Sequence, residues 1–126
     1  MSERLKDKVA LITGGAQGLG KEMAKSMLAE SAHVIIADIN EDKLVEAAKE
    51  LSCSHLILDV TKEEQWQSVI KQITDDTGSL NILVNNAGIG GGGDVEMTDS
   101  ETWDLVHRVN LDSVFLGCKY ALPLMR

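Results

Sequence analysis

One stretch, KVALITGGAQGLG from Lys8 to Gly20, limits what this chain can fold into more than any other, because a short apolar run breaks there into a turn carrying Gly14, Gly18 and Gly20. Val9, Ala10, Leu11 and Ile12 are too few for a helix and too continuous for a half-exposed strand, so they predict a buried central strand of a parallel sheet. A loop leading straight from such a strand into a helix leaves backbone N–H groups unpaired at the positive end of the helix dipole, a ready site for phosphate. Glycine lets a pyrophosphate approach the backbone closely. Read from Thr13 to Gly20 the pattern is T-G-G-x-x-x-x-G with Gly18 between, which is not the G-x-G-x-x-G of the common dinucleotide fingerprint. On this stretch alone, a tight strand-to-helix turn without a ligand is the alternative.

Following the chain onward, Met23, Ala24, Met27 and Leu28 share one face of an amphipathic helix that Ser31 and Ala32 end. A second apolar run, His33 to Asp38, closes on a carboxylate 18 positions after Gly20. That completes a strand-helix-strand unit whose acidic tip lies beside the first loop, where it can accept both hydroxyls of an adenosine ribose. The competing role for Asp38 is a helix N-terminal charge beside Asn40, Glu41 and Asp42. Leu44, Ala47, Ala48 and Leu51 stripe the next helix. A third strand is expected over His55 to Leu58, ending in Asp59 and Val60, where Asp59 either receives an adenine amino group or simply enters a helix. Thr61 and Glu64 predict a capping box before Trp66, Val69, Ile70 and Ile73, in a helix that ends near Gly78.

Ile82, Leu83 and Val84 form a fourth buried strand running into Asn85, Asn86, Ala87 and Gly88. The run Gly90 to Gly93 reads as a flexible lip over a cleft. Thr98 with Glu101, or Ser100 itself, starts a helix that places Trp103, Val106 and Asn110 at i, i+3 and i+7. Asn110 is then a polar residue on an apolar stripe, either a buried amide satisfied by backbone or a kink between two helices. The helix continues from Leu111, with Val114, Phe115, Ala121 and Leu122 available for burial and Pro123 near its end. Strands and helices alternate throughout, which predicts an α/β doubly wound parallel sheet of order 3-2-1-4.

Composition narrows the partners. The 126 residues, 44% hydrophobic, can bury one modest core, hence one domain or part of one. A net charge of −8 argues against nucleic acid and anionic membrane surfaces. No apolar run approaches the roughly 20 residues that span a bilayer, and MSERLKDK lacks the apolar core of a secretion signal, so a cytoplasmic location is expected. Cys53 and Cys118 stand far apart outside any motif and read as reduced thiols, and neither they nor the histidines have metal-ligand spacing.

TGGAQGLG, Asp38, Asp59 and the NNAG of Asn85 to Gly88, in this order, resemble the short-chain dehydrogenase/reductase family. The resemblance spans nearly the whole chain but only the first half of a family member. It implies a Rossmann-type domain, of which residues 1–126 would be the N-terminal part with the remaining strands missing. It further implies NAD as cofactor, with Gly14, Gln17, Gly18, Leu19, Gly20, Asp38, Ile39, Asp59, Val60, Asn85, Ala87 and Gly88 as its contacts. Asp38, together with uncharged Gln17 and Ile39, implies NAD(H) over NADP(H). Asn110, in VNLDSVF, would help hold the catalytic lysine and a proton-relay water. The reaction implied interconverts a secondary alcohol and a ketone in a homo-oligomer, tetramer or dimer. The family's serine and Tyr-x-x-x-Lys have no counterpart here, since Tyr120 is the only tyrosine and Leu124 stands four places on. The chain by itself is therefore expected to be inactive and to self-associate or partly unfold, with the Ile82 to Val84 strand left as an edge. The alternatives are a noncatalytic NAD-binding or interaction module and an S-adenosylmethionine-dependent methyltransferase.

Overall fold

Alternation along the central strands decides how the layers pack. In the computed structural model, which describes residues 2–90 and 93–126, β1 (Val9–Thr13) pairs in parallel with β2 (His33–Asp38) on one side and β4 (Ile82–Val84) on the other. β2 in turn pairs with β3 (Ser54–Ile57), so the order is β3-β2-β1-β4. Ile12, Val34 and Ile36 point to one face and pack with Ala24 of α1 (Gly18–Ala29) and Leu44, Ala47 and Ala48 of α2 (Glu41–Leu51). Val9, Leu11, Ile35 and Ala37 point to the other, where Trp66, Val69 and Ile73 of α3 (Glu63–Thr77) cover them. A sheet buried on both faces requires such continuously apolar strands, and the expected topology is the one observed.

Most element boundaries follow the reading of the residues, and the departures have local causes. Strand β3 begins and ends one residue earlier than expected, although Leu58 just beyond it is still buried. The capping box at Thr61 and Glu64 does not form: Lys62 is the cap residue of α3 and makes no side-chain cap bond. Thr61 instead turns back to Asp59, whose Oδ1 accepts both its hydroxyl at 2.7 Å and its N–H at 3.0 Å. Helix α4 (Ser100–His107) does start at Ser100, but the capping side chain is Asp99, whose Oδ1 accepts the Thr102 N–H at 2.7 Å. That hydrogen bond also holds the Asp99 carboxyl below its ordinary pKa. Gly78 closes α3 in the left-handed conformation, φ 73°, as a C-terminal glycine does. The lip read at Gly90 to Gly93 falls partly on Gly91 and Gly92, which lie outside the described residues.

After α4 the chain makes a π-helical turn, Arg108–Asp112, before α5 (Ser113–Met125). This is the kink expected near Asn110, but Asn110 is exposed rather than buried, as is Trp103, which stacks on His107 with ring centroids 4.4 Å apart. Of the four α5 residues expected in the core, only Ala121 is buried, and Phe115 is 65% exposed. The face that packs inward is instead Ser113, Gly117 and Ala121, at i, i+4 and i+8. Small residues are needed there because the Trp66 indole, fully buried with its Nε1–H on the Val60 carbonyl at 2.9 Å, lies against the helix backbone. Among the described residues no helix is long and apolar enough to cross a membrane, and Cys53 and Cys118 are free thiols.

Gly117 tests this packing by sign. Alanine in a helix interior ordinarily stabilises by about 1 kcal/mol over glycine. A Cβ at position 117 would stand 2.6 Å from Asn85 Oδ1 and 2.9 Å from Trp66 Cη2. Gly117→Ala is therefore expected to destabilise, by about 1–3 kcal/mol for overpacking, in urea unfolding of the whole natural polypeptide. A stabilised variant would show that α5 does not sit this close.

Candidate functional site

The C-terminal ends of all four strands open into one cleft of about 560 Å³. Its wall is built by the glycine loop after β1, the Asp38 tip of β2, the segment after β3 and the segment after β4. The loops after β1 and β4 are stitched together by a single buried hydroxyl. Thr13 Oγ1 accepts the N–H of Asn86 and of Ala87, each at 3.0 Å, and donates to the Val84 carbonyl at 3.4 Å. Asn86 Nδ2 adds a bond to the Gly14 carbonyl at 3.2 Å. Together these hold both loops as one rigid wall.

Electrostatics distinguish α1 from α2 at this end. Asn40 caps α2 by accepting the Lys43 N–H at 3.1 Å, and Glu41 and Asp42 occupy its first turn. For α1 the cap residue Gln17 makes no side-chain cap bond, and no acidic residue stands in the first turn. The positive end of α1 is left without an internal counter-charge beside Gly14 and Gln17, two residues of the cleft wall. Asp38 meets the same loop from β2: its Oδ2 accepts the Ala16 N–H at 3.2 Å and its Oδ1 the Asn40 N–H at 3.1 Å. Asp38 thus supports the entry to α2 and also lines the cleft. Asp59 likewise lines the cleft while spending Oδ1 on the turn into α3.

Of the residues singled out from the sequence, Gly14, Gln17, Asp38, Ile39, Asp59, Val60, Ala87 and Gly88 are brought together on the cleft wall. Gly18 and Leu19 stand exposed at the start of α1, whereas Gly20 is buried, where a Cβ would be 2.3 Å from the Gly14 carbonyl oxygen. The Asn85 side chain is not on the wall. It is directed at α5, with Oδ1 2.6 Å from where a Gly117 Cβ would stand and Nδ2 3.8 Å from Cys118 Sγ, because successive side chains along an extended chain point to opposite sides. Asn110 reaches the cleft indirectly. Its Oδ1 accepts the Ile89 N–H at 2.8 Å and its Nδ2 donates to the Ile89 carbonyl at 2.7 Å, a two-point clamp on a lining residue.

Thr13 and Asn86 were missed as site residues although both stand inside the quoted motifs, Thr13 as the first letter of TGG and Asn86 within NNAG. Asn40 was visible only as a helix cap. Leu105 and Val109 also line the cleft, and no local signal marks them, since they arrive from α4 and the π-helical turn. Tyr120 lies elsewhere: its hydroxyl donates to Glu63 Oε1 and accepts from Gln67 Nε2 at 3.2 Å, pinning α5 to α3.

Comparison with known proteins agrees with this geometry. A family model described as short chain dehydrogenase matches residues 8–126. Among curated proteins the chain is 41% identical to a 3-beta-hydroxysteroid dehydrogenase of Comamonas testosteroni and 36% identical to a trans-4-hydroxycyclohexanecarboxylate dehydrogenase of Sinomonas cyclohexanicum. All of this chain aligns with each, but it covers 50% of the first and 53% of the second, so it spans about half the length of these relatives. Among solved structures, a short chain dehydrogenase from Mycobacterium smegmatis superposes with a TM-score of 0.92 at 36% identity, over 97% of this chain and 54% of that one.

If the Thr13 hydroxyl is the stitch between the two loops, Thr13→Val should cost about 1–3 kcal/mol, because the Asn86 and Ala87 N–H groups lose their acceptor. Thr13→Ser keeps the oxygen and should cost clearly less. Paired urea titrations of the two variants in the whole natural polypeptide decide it, and equal losses would remove Thr13 from this role.

Proposed function

This chain belongs to the short-chain dehydrogenase family, and on that premise we propose that it forms the cofactor-binding part of an NAD(H)-dependent oxidoreductase interconverting a secondary alcohol and a ketone. The observation that carries the reading is the uncapped, acid-free N-terminus of α1 set beside the Asp38 carboxylate on one cleft wall. These are the two ends of a dinucleotide's chemistry: N–H groups at a positive helix end suit a pyrophosphate, and a carboxylate suits ribose hydroxyls. The residues fit such a group sterically as well. Gly18, at φ 60°, has open space where a side chain would stand, so the loop backbone can be approached there. Leu58, Val60 and Ile89 supply apolar walls for flat rings.

A bound nicotinamide dinucleotide would supply the hydride chemistry. This chain's part is to hold it: Gly14, Gln17, Gly18, Leu19 and Gly20 at the phosphates, Asp38 and Ile39 at the adenosine ribose, Asp59 and Val60 at the adenine, and Ala87 and Gly88 along the opposite wall. Asn85 is assigned to the same loop, acting through its backbone and its packing on α5. Asn110 acts on the chemistry by positioning the Ile89 segment and, with the residues that follow this half in a longer domain, by supporting a lysine and a water in proton transfer. The serine and Tyr-x-x-x-Lys belong to that second half, and residues 1–126 are then the N-terminal part of one dinucleotide-binding domain. The names of the two curated relatives both denote a hydroxyl on a ring carbon, which favours a cyclic secondary alcohol as substrate. A cytoplasmic homo-oligomer without nucleic-acid or membrane partners completes the proposal. Family membership sets aside the methyltransferase. The noncatalytic module keeps one observation in its favour, a lone tyrosine committed to Glu63 and outside the cleft wall.

NADH should bind more tightly than NADPH, because a 2′-phosphate would confront Asp38. A like charge about 5 Å away at an effective dielectric near 20 costs roughly 3 kcal/mol before screening. Fluorescence titration with both nucleotides tests this in the whole natural polypeptide, and Asp38→Ala should narrow the gap. Tighter NADPH binding would refute it.

Replacing Asn110 with alanine should lower kcat for alcohol oxidation by more than it weakens NADH binding, since the clamp on Ile89 serves the reacting end of the cleft. A purely architectural amide would instead lower the melting temperature and leave turnover per folded molecule near normal. Both are read from one preparation.

A further inference from the structure

Gln17 and Ile39, which share the cleft wall with Asp38, are uncharged, yet the Lys43 ammonium reaches that wall from α2. Lys43 Nζ donates to Gln17 Oε1 at 2.9 Å. The bond closes a ring. Ala16 N–H is held by Asp38 Oδ2, Asn40 N–H by Asp38 Oδ1, Lys43 N–H by Asn40 Oδ1, and Lys43 Nζ returns to Gln17, which follows Ala16 in the chain. Asp38, Asn40 and Gln17 of this ring all line the cleft.

The position of Lys43 is not explained by helix stability. It stands third in α2, in the first turn, where the helix dipole disfavours a cation. It is also not explained by an ion pair, for among the described residues the salt bridges engage Arg4, Lys6, Lys21, Lys71 and Lys119 but not Lys43. Its hydrogen-bond partner is a neutral amide, so its charge is still available to an anion. A ring carrying one carboxylate and one ammonium presents a different field from the bare carboxylate that Asp38 alone suggests.

We propose that Lys43 is a specificity-determining residue at the adenosine end of the cleft, its ammonium offsetting the repulsion of Asp38 toward a phosphorylated ribose. The preference for the unphosphorylated dinucleotide is then set by the pair, narrower than Asp38 by itself would make it. This inference rests on the reading of the cleft as a dinucleotide site.

The test is direct binding of NADH and NADPH to the whole natural polypeptide carrying Lys43→Met or Lys43→Arg, followed by nucleotide fluorescence and not by turnover. Lys43→Met is expected to weaken NADPH binding about three- to tenfold while NADH changes less than about twofold, and the NADPH loss should shrink at 0.5 M salt because an exposed charge is screened. Lys43→Arg should restore NADPH affinity by keeping the charge. Equal weakening of both nucleotides would overturn the proposal, since it would make Lys43 only a tether for Gln17. No change in either would overturn it as well, with the cleft reading intact. Failure of the unsubstituted protein to bind either nucleotide would take down the cleft reading and this inference together.

Discussion

Everything at the site depends on where the winding of the sheet reverses. The chain leaves β1, builds β2 and β3 outward on one side, then crosses back to lay β4 along the other side of β1. Connections on the two sides therefore run to opposite faces, and a crevice opens at the strand ends beside the joined loops after β1 and β4. Both ends of the β1–β4 pairing are pinned. At the entry, Asn81 Oδ1 accepts the Val9 N–H at 2.8 Å and the Asn81 N–H meets the Val9 carbonyl at 2.9 Å. At the exit the Thr13 hydroxyl gathers the Asn86 and Ala87 N–H groups. A strand of only three residues would otherwise have little to set its register, and a slip by one would turn Leu83 from one face to the other and pull the cleft wall apart.

The charge pattern uses the same architecture. Three helices begin with their own acids: Glu41 and Asp42 in α2, Glu63 and Glu64 in α3, Glu101 in α4. Helices α1 and α5 begin without one, and α1 is the helix that opens beside the glycine loop. In a chain of net charge −8, an acid-free helix start is a local exception against a strongly acidic background. An anion would find attraction there and repulsion over much of the remaining surface, which is how a protein with an unfavourable total charge can still take a phosphate.

Much of this was legible in the residues because parallel strands buried on both faces, spaced by striped helices, leave few topologies open. The order 3-2-1-4, the end of α3 at Gly78 and the carboxylate at the tip of β2 follow from periodicity and turn chemistry. What stayed hidden was contact between distant segments. Nothing local says that Thr13 bonds two residues more than seventy positions away, that Lys43 crosses from one helix to the start of another, or that Trp66 presses on Gly117. The inward face of α5 was misread for the same reason. Its large residues suggested a core stripe at Val114, Phe115 and Leu122, but the buried face is Ser113, Gly117 and Ala121, and a buried indole on the opposing helix leaves no room for a side chain at Gly117. Volume on the far side decided which face turned in.

The glycine motif itself divides differently from the way a ligand-centred reading divides it. A Cβ on Gly15 would meet Ile36 at 2.6 Å, and one on Gly20 would meet the Gly14 carbonyl at 2.3 Å, so these two are demanded by packing of the loop on β2 and on itself. Gly14 is required twice over, by φ 65° and by Ala87 and Asn86 at 3.0 Å. Gly18 alone has empty space before it, and there the left-handed backbone, φ 60°, is the only protein-side constraint. Most of the motif therefore exists to bring the start of α1 down onto the ends of β1 and β4. On the proposed reading a ligand would need the result of that packing more than each glycine, so a wider spacing than G-x-G-x-x-G would serve it as well: what the ligand would meet is a bare helix end against a carboxylate, and the interval between glycines only reports how the loop gets there.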